Sequence, residues 1–71
     1  MMWPFDNYLT LKQVIVNTRT DKAFRGLLWR KRRGYLVLRE CELLKAKGET
    51  APIDGEVVIP AFNVDFLQVI R

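Results

Sequence analysis

Histidine and serine are absent from this 71-residue chain, and cysteine occurs once. Without histidine there is no side chain whose ordinary pKa lies near neutrality. Without serine the hydroxyl nucleophile of most acyl-transfer sites is missing. Cys41 has no imidazole to activate it and reads as a small residue inside a strand. There is no glycine-rich phosphate loop either, and the carboxylates are scattered over loops and a polar strand face. Catalysis therefore has little support, and the chain does not read as an enzyme. A lone thiol cannot close an internal disulfide, and without histidine it cannot build a structural zinc site. No cofactor or metal is expected. No apolar run approaches the roughly 20 residues of a membrane span. Met1-Met2-Trp3-Pro4 lacks the basic start and apolar stretch of a signal peptide. These two features make no provision for a membrane and predict a cytoplasmic setting, in a host cell or inside a particle assembled there.

What is present fits one small folded domain. The chain is 49% hydrophobic and 28% charged, which opposes disorder. A domain of this size buries only about 60% of its unfolded surface and is marginal alone. With disulfides and metals excluded, oligomerisation is the stabilising device left. The net charge is +4, and its distribution is uneven. Arg25, Arg30, Lys31, Arg32 and Arg33 place five of the twelve cations within nine residues, whereas Glu40, Glu42, Glu49, Asp54 and Glu56 make the later half mixed. Such a focused patch suits nucleic acid or an acidic protein surface. It equally suits a solvated hairpin tip whose cations guard a strand edge.

Residues 1–11 carry Trp3, Phe5, Tyr8 and Leu9 around Pro4, with Asp6 or Asn7 able to cap one helical turn. They predict a short lid over one end of a barrel. Three strands follow within residues 12–44. Val14, Ile15, Val16, Thr18 and Thr20 mark the first by β-branching and alternation, and Asp21-Lys22 supplies a tight turn in which Asp21 can be left-handed. The second, Ala23 to Arg30, sets Phe24, Gly26 and Leu28 on one face and Leu27 and Trp29 on the other. Gly26 in mid-strand predicts a sharp bend or the close approach of another backbone. After the cationic turn and Gly34, the third strand runs from Tyr35 to about Leu44, with Leu36, Leu38 and Glu40 expected opposite in face to Tyr35, Val37, Arg39 and Cys41.

Residues 45–55, with two glycines and a proline, read as a loop. Residues 56–71 hold two more strands, Glu56 to Ile59 and Val64 to Ile70, joined by a turn or one 3₁₀ turn over Pro60–Asn63. Both are apolar on both faces. In a five-stranded barrel only one face looks inward, so the outer residues must be covered by a second copy of the chain or lie beneath the N-terminal segment. The fold class predicted is all-β: a strongly bent, five-stranded, SH3-like barrel with a short N-terminal helical turn.

In its order of residues the chain resembles the Sm/LSm family from Leu9 onward. Val14-Ile15-Val16-Asn17-Thr18, a turn and Phe24-Arg25-Gly26-Leu27-Leu28 resemble the first half of the first Sm motif. Leu36-Val37-Leu38 with Glu40-Cys41-Glu42 is similar to the third strand. Ile59-Pro60-Ala61-Phe62-Asn63-Val64-Asp65-Phe66-Leu67 is similar to the second motif. The Trp-Pro-Phe-Asp start and the Gly-Glu-Val-Val-Ile-Pro stretch also resemble small proteins of actinobacterial phages. The Sm/LSm resemblance implies a homo-oligomeric ring in which the last two strands of neighbouring subunits pair. Val58, Val64, Phe66, Gln68 and Ile70 would form that interface. It also implies RNA binding, but the family's base-reading Asp-x-aromatic-x-Asn is replaced here by Arg30-Lys31-Arg32-Arg33-Gly34, and its Arg-Gly by Pro60-Ala61. A uridine pocket therefore does not carry over.

Binding without sequence readout remains. Arg25, Arg30, Lys31, Arg32 and Arg33 would hold the phosphates of RNA or single-stranded DNA. Trp29 and Tyr35 can stack on unpaired bases, or on each other across the turn, and Asn63 is the polar group expected nearby. The alternative is a non-enzymatic structural or adaptor piece, for instance of a phage particle, whose basic tips dock on an acidic protein.

Overall fold

The computed structural model describes residues 11–70. The lid expected over residues 1–11 lies outside the described residues except for Leu11, whose N–H donates to the Leu28 carbonyl at 2.6 Å. Six strands are formed: β1 Gln13–Thr18, β2 Ala23–Arg32, β3 Tyr35–Leu44, β4 Thr50–Ile53, β5 Val57–Pro60 and β6 Val64–Val69. They make one antiparallel sheet in the order β4-β3-β2-β1-β6, with β5 also paired to β3. Two 3₁₀ turns, Ala46–Gly48 and Ala61–Asn63, complete the described chain.

Alternation directs one face of this sheet inward. Val14 and Val16 of β1, Leu28 of β2, Leu36 and Leu38 of β3, Ile59 of β5 and Val64 of β6 are buried together, with Cys41 among them. Phe24, Val57, Leu67 and Val69 pack against this core. Polar Thr18 is also buried, and its hydroxyl is satisfied locally: it donates to the Lys22 carbonyl at 2.9 Å and accepts from the Lys22 N–H at 3.1 Å. Asp21 closes the same turn with a φ of +63°, in the left-handed region.

The bend falls where Gly26 predicts it. A Cβ at this position would lie 2.9 Å from the Arg39 carbonyl oxygen and 3.0 Å from the Cys41 Cα. Both are backbone atoms of β3, which could not withdraw without breaking the ladder. The β2–β3 register shifts between Arg25 and Leu27, opposite Glu42 and Arg39, and again between Leu28 and Arg30, opposite Leu38 and Val37. The first shift puts an extra residue on β3, the second puts Trp29 extra on β2. Two bulges close together bend a strand pair and increase its twist.

The bulge on β3 changes the facing expected from simple alternation. Glu40 adopts a φ of +48°; it is exposed, and Cys41 is buried in its stead. The loop expected over 45–55 also contains a strand. β4 pairs with the far half of β3, Cys41 opposite Ile53 and Leu44 opposite Thr50. It stands at the end of the sheet order, where the missing N–H of Pro52 is tolerated. The barrel is six-stranded by this count, its expected fourth strand preceded by a separate short one.

Candidate nucleic-acid interface

The cationic stretch is more strand than turn. β2 continues through Arg32, which lies directly opposite Tyr35, so that only Arg33 and Gly34 form the connection. Gly34 has a φ of +84°, a backbone state that a tight reversal needs and glycine adopts at no steric cost. The register divides the cations between two faces. Arg30, opposite Val37, and Arg32, opposite Tyr35, are exposed, whereas Lys31, opposite Leu36, is half-buried. Arg33 projects from the tip and is exposed.

A second segment closes on this tip. Tyr35 pairs with Pro60 across β3 and β5, and the Ala61 N–H donates to the Gly34 carbonyl at 2.8 Å. The Ala61–Asn63 turn is thereby tied to the hairpin, and Phe62 within it is 82% exposed. Phe62 is not among the residues the sequence singles out for binding. The signal available was an aromatic in a connection too short to bury it.

Three expected contact residues are placed elsewhere. Arg25 sits on the opposite side of the β2 bend from the tip, with its guanidinium 3.0 Å from the Glu42 carboxylate. Trp29 lies in the β2 bulge with the Arg39 guanidinium 3.9 Å over its ring, and Arg39 is held by Glu56 at 2.9 Å. Neither register partner of the turn brings Trp29 against Tyr35, so the stacking of the two across the hairpin is replaced by a cation–π contact. Asn63 faces the β1–β2 turn: its carbonyl accepts from the Arg19 N–H at 2.8 Å and its Nδ2 donates to Thr20 Oγ1 at 3.3 Å. Arg30, Lys31, Arg32, Arg33 and Tyr35 remain together at the tip.

Two groups are electrostatically perturbed. The hydrogen bond from Thr50, and then that from Arg25, hold the Glu42 carboxyl below its ordinary range. Burial pushes the Cys41 thiol up to about 11, against a partial offset from the Glu42 backbone. The thiol is therefore neutral at physiological pH and unsuited to nucleophilic or ligand chemistry. Among the described residues no group of three His, Cys, Asp or Glu side chains is placed to hold a metal. No helix among them is long and apolar enough to cross a membrane.

The barrel is open between β5 and β6. Among the described residues β5 pairs only with β3 and β6 only with β1, leaving one edge of each without a ladder partner. These edges carry exposed apolar side chains: Val58 is 54% exposed, Phe66 51%, and Ile70 is exposed beyond the end of β6. Gln68 is exposed between them. Val64, expected at the same surface, is instead 6% exposed and packs within the core cluster at the start of β6.

Compared by sequence, the chain matches no family model and no curated protein. Its fold does match solved structures. The Pyrococcus abyssii Sm protein, solved in complex with a uridine heptamer, superposes with a TM-score of 0.81 and 26% identity over 97% of this chain and 100% of that one. A heptameric archaeal Sm protein gives 0.77 and 26% over 90% of this chain and 93% of that one. The P. aerophilum SmAP1 heptamer also gives 0.77 and 26%, over 90% of this chain and 85% of that one. The bent second strand at Gly26, the open edges of β5 and β6, and superposition over nine-tenths or more of the chain on three Sm proteins agree: the chain has an Sm-like fold and is similar to proteins of the Sm/LSm family.

Proposed function

We propose that this chain assembles into a homo-oligomeric Sm-like ring and binds single-stranded nucleic acid through the tips of its β2–β3 hairpins, without reading base identity. The observation that carries the proposal is the hairpin tip itself. Arg30, Arg32 and Arg33 are exposed at the end of the barrel to which the Ala61–Asn63 turn is tied. A neighbour in structure space is an Sm protein in complex with a uridine heptamer, and two others are heptameric. Ring closure is supported by the unpaired edges of β5 and β6, since a sheet edge with exposed Val58 and Phe66 pairs most readily with another strand. In a ring the tips repeat around the symmetry axis, so that each subunit adds cations to one electrostatic belt.

The tip offers phosphates many positive charges and offers a base few directional partners. The amide of Asn63 is engaged with Thr20, and no carboxylate lies in the Arg30–Tyr35 stretch. Affinity should therefore come from counterion release and fall steeply with salt. Fluorescence anisotropy of labelled single-stranded RNA and DNA oligonucleotides at low salt tests this. Micromolar or tighter binding, weakening linearly in log–log salt plots and similar across base compositions, is expected. Unchanged anisotropy at tens of micromolar protein would contradict it.

A further inference from the structure

We propose that Phe62 is a stacking platform for an unpaired nucleobase of a single strand whose phosphates run along the Arg32–Gly34 tip. This rests on the reading above that the hairpin end binds single strands, and assigns the residue that receives the base.

Phe62 is the most exposed large hydrophobic side chain among the described residues, at 82%. A single exposed apolar side chain is common at protein surfaces; it is the neighbourhood of this one that indicates a use. It is one residue from Ala61, whose N–H is bonded to Gly34 at 2.8 Å, so the backbone that carries the ring is tied to the Arg33–Gly34 connection. Its backbone is fixed on both sides. Pro60 precedes the turn with φ −60°, and Asn63 follows it, bonded to both Arg19 and Thr20. A rigid, exposed aromatic beside a cluster of cations is the combination by which proteins hold single strands, the cations tracking phosphates while bases stack on the ring.

The competing aromatics serve less well. Trp29 already has one face covered by Arg39, which Glu56 holds in place. Tyr35 is less exposed, at 38%, and its backbone sits within the β2–β3–β5 ladder between Arg32 and Pro60. A phenyl ring has no hydrogen-bonding group, so contact with it discriminates bases only by how well they stack. Purines should be held modestly better than pyrimidines, with no uridine preference.

The test compares two labelled probes of equal length, a single-stranded oligodeoxynucleotide and the corresponding abasic strand, which keeps the phosphates and lacks the bases. Wild type and the Phe62→Leu and Phe62→Trp variants are titrated against each, and their oligomeric state is measured by sedimentation velocity. Phe62→Leu should bind the normal strand about tenfold more weakly, bind the abasic strand as wild type does, and keep the wild-type salt slope. Phe62→Trp should retain tight binding. Equal affinity of Phe62→Leu and wild type for the normal strand would overturn the proposal, as would an equal loss on both probes or an altered oligomeric state. If wild type binds neither probe, it is the nucleic-acid reading itself that fails; wild-type binding to both with no effect of Phe62→Leu removes only the stacking role.

Discussion

At the scale of single residues, Gly26 shows most directly how the sequence dictates this barrel. A side chain there would meet backbone atoms of β3 at 2.9 and 3.0 Å, and neither can move as a rotamer can. Gly26→Ala should therefore destabilise the protein by about 1–3 kcal/mol, the range for overpacked sites. Urea denaturation should show a lower midpoint with an unchanged m-value. Cys41 makes a second prediction, in pH. Its thiol is raised from 9.0 to about 11 in the folded state, so between these values the unfolded chain loses a proton that the native one keeps. By linkage, stability is full below about pH 9 and falls as pH rises toward 11, by up to about 3 kcal/mol from this group. Cys41→Ala should flatten that part of the profile, and the native thiol should react with a thiol reagent only at the rate of unfolding.

At the scale of elements, the hairpin β2–β3 carries the function proposed here. Replacing Arg30, Arg32 and Arg33 together by alanine leaves half-buried Lys31 in place and removes three exposed positive charges. Oligonucleotide affinity should then fall by an order of magnitude or more. The slope of log affinity against log salt should shrink by about 0.7 for each lost phosphate contact, while the oligomeric state is retained. A wild-type slope in the triple variant would place the binding surface elsewhere. The strands themselves were largely legible in the sequence. β3 runs over the predicted Tyr35–Leu44, and the first, second and last strands agree within two residues at either end. What could not be read was set by partners far along the chain. β4 is hidden because Thr50-Ala51-Pro52-Ile53 has one large apolar residue and a proline, and becomes a strand only by lying against Cys41–Leu44. The facing of Cys41 depends on the left-handed Glu40, a state that alternation does not foresee. The same holds for the site. The cations at the tip could be found by composition, but Arg25, Trp29 and Asn63 were displaced from it by Glu42, Arg39 and Thr20. Which partner a side chain finds across a sheet is a matter of register, and the two bulges determine that register here.

At the scale of the whole molecule, the open edges of β5 and β6 are the main feature a lone subunit leaves incomplete. A domain of this size is marginal alone, and each edge presents backbone donors and acceptors together with exposed Val58 or Phe66. Pairing β5 of one copy with β6 of the next satisfies both, and repetition about an axis closes the set. Phe66→Glu places a charge at that junction and should dissociate the assembly. Native mass spectrometry at tens of micromolar protein, with and without a single-stranded oligonucleotide, is the most direct test. The wild type is predicted to give one closed oligomer of uniform mass that gains the mass of the oligonucleotide, and Phe66→Glu to give monomer. A wild-type spectrum of monomers that take up no oligonucleotide would contradict both the ring and its ligand.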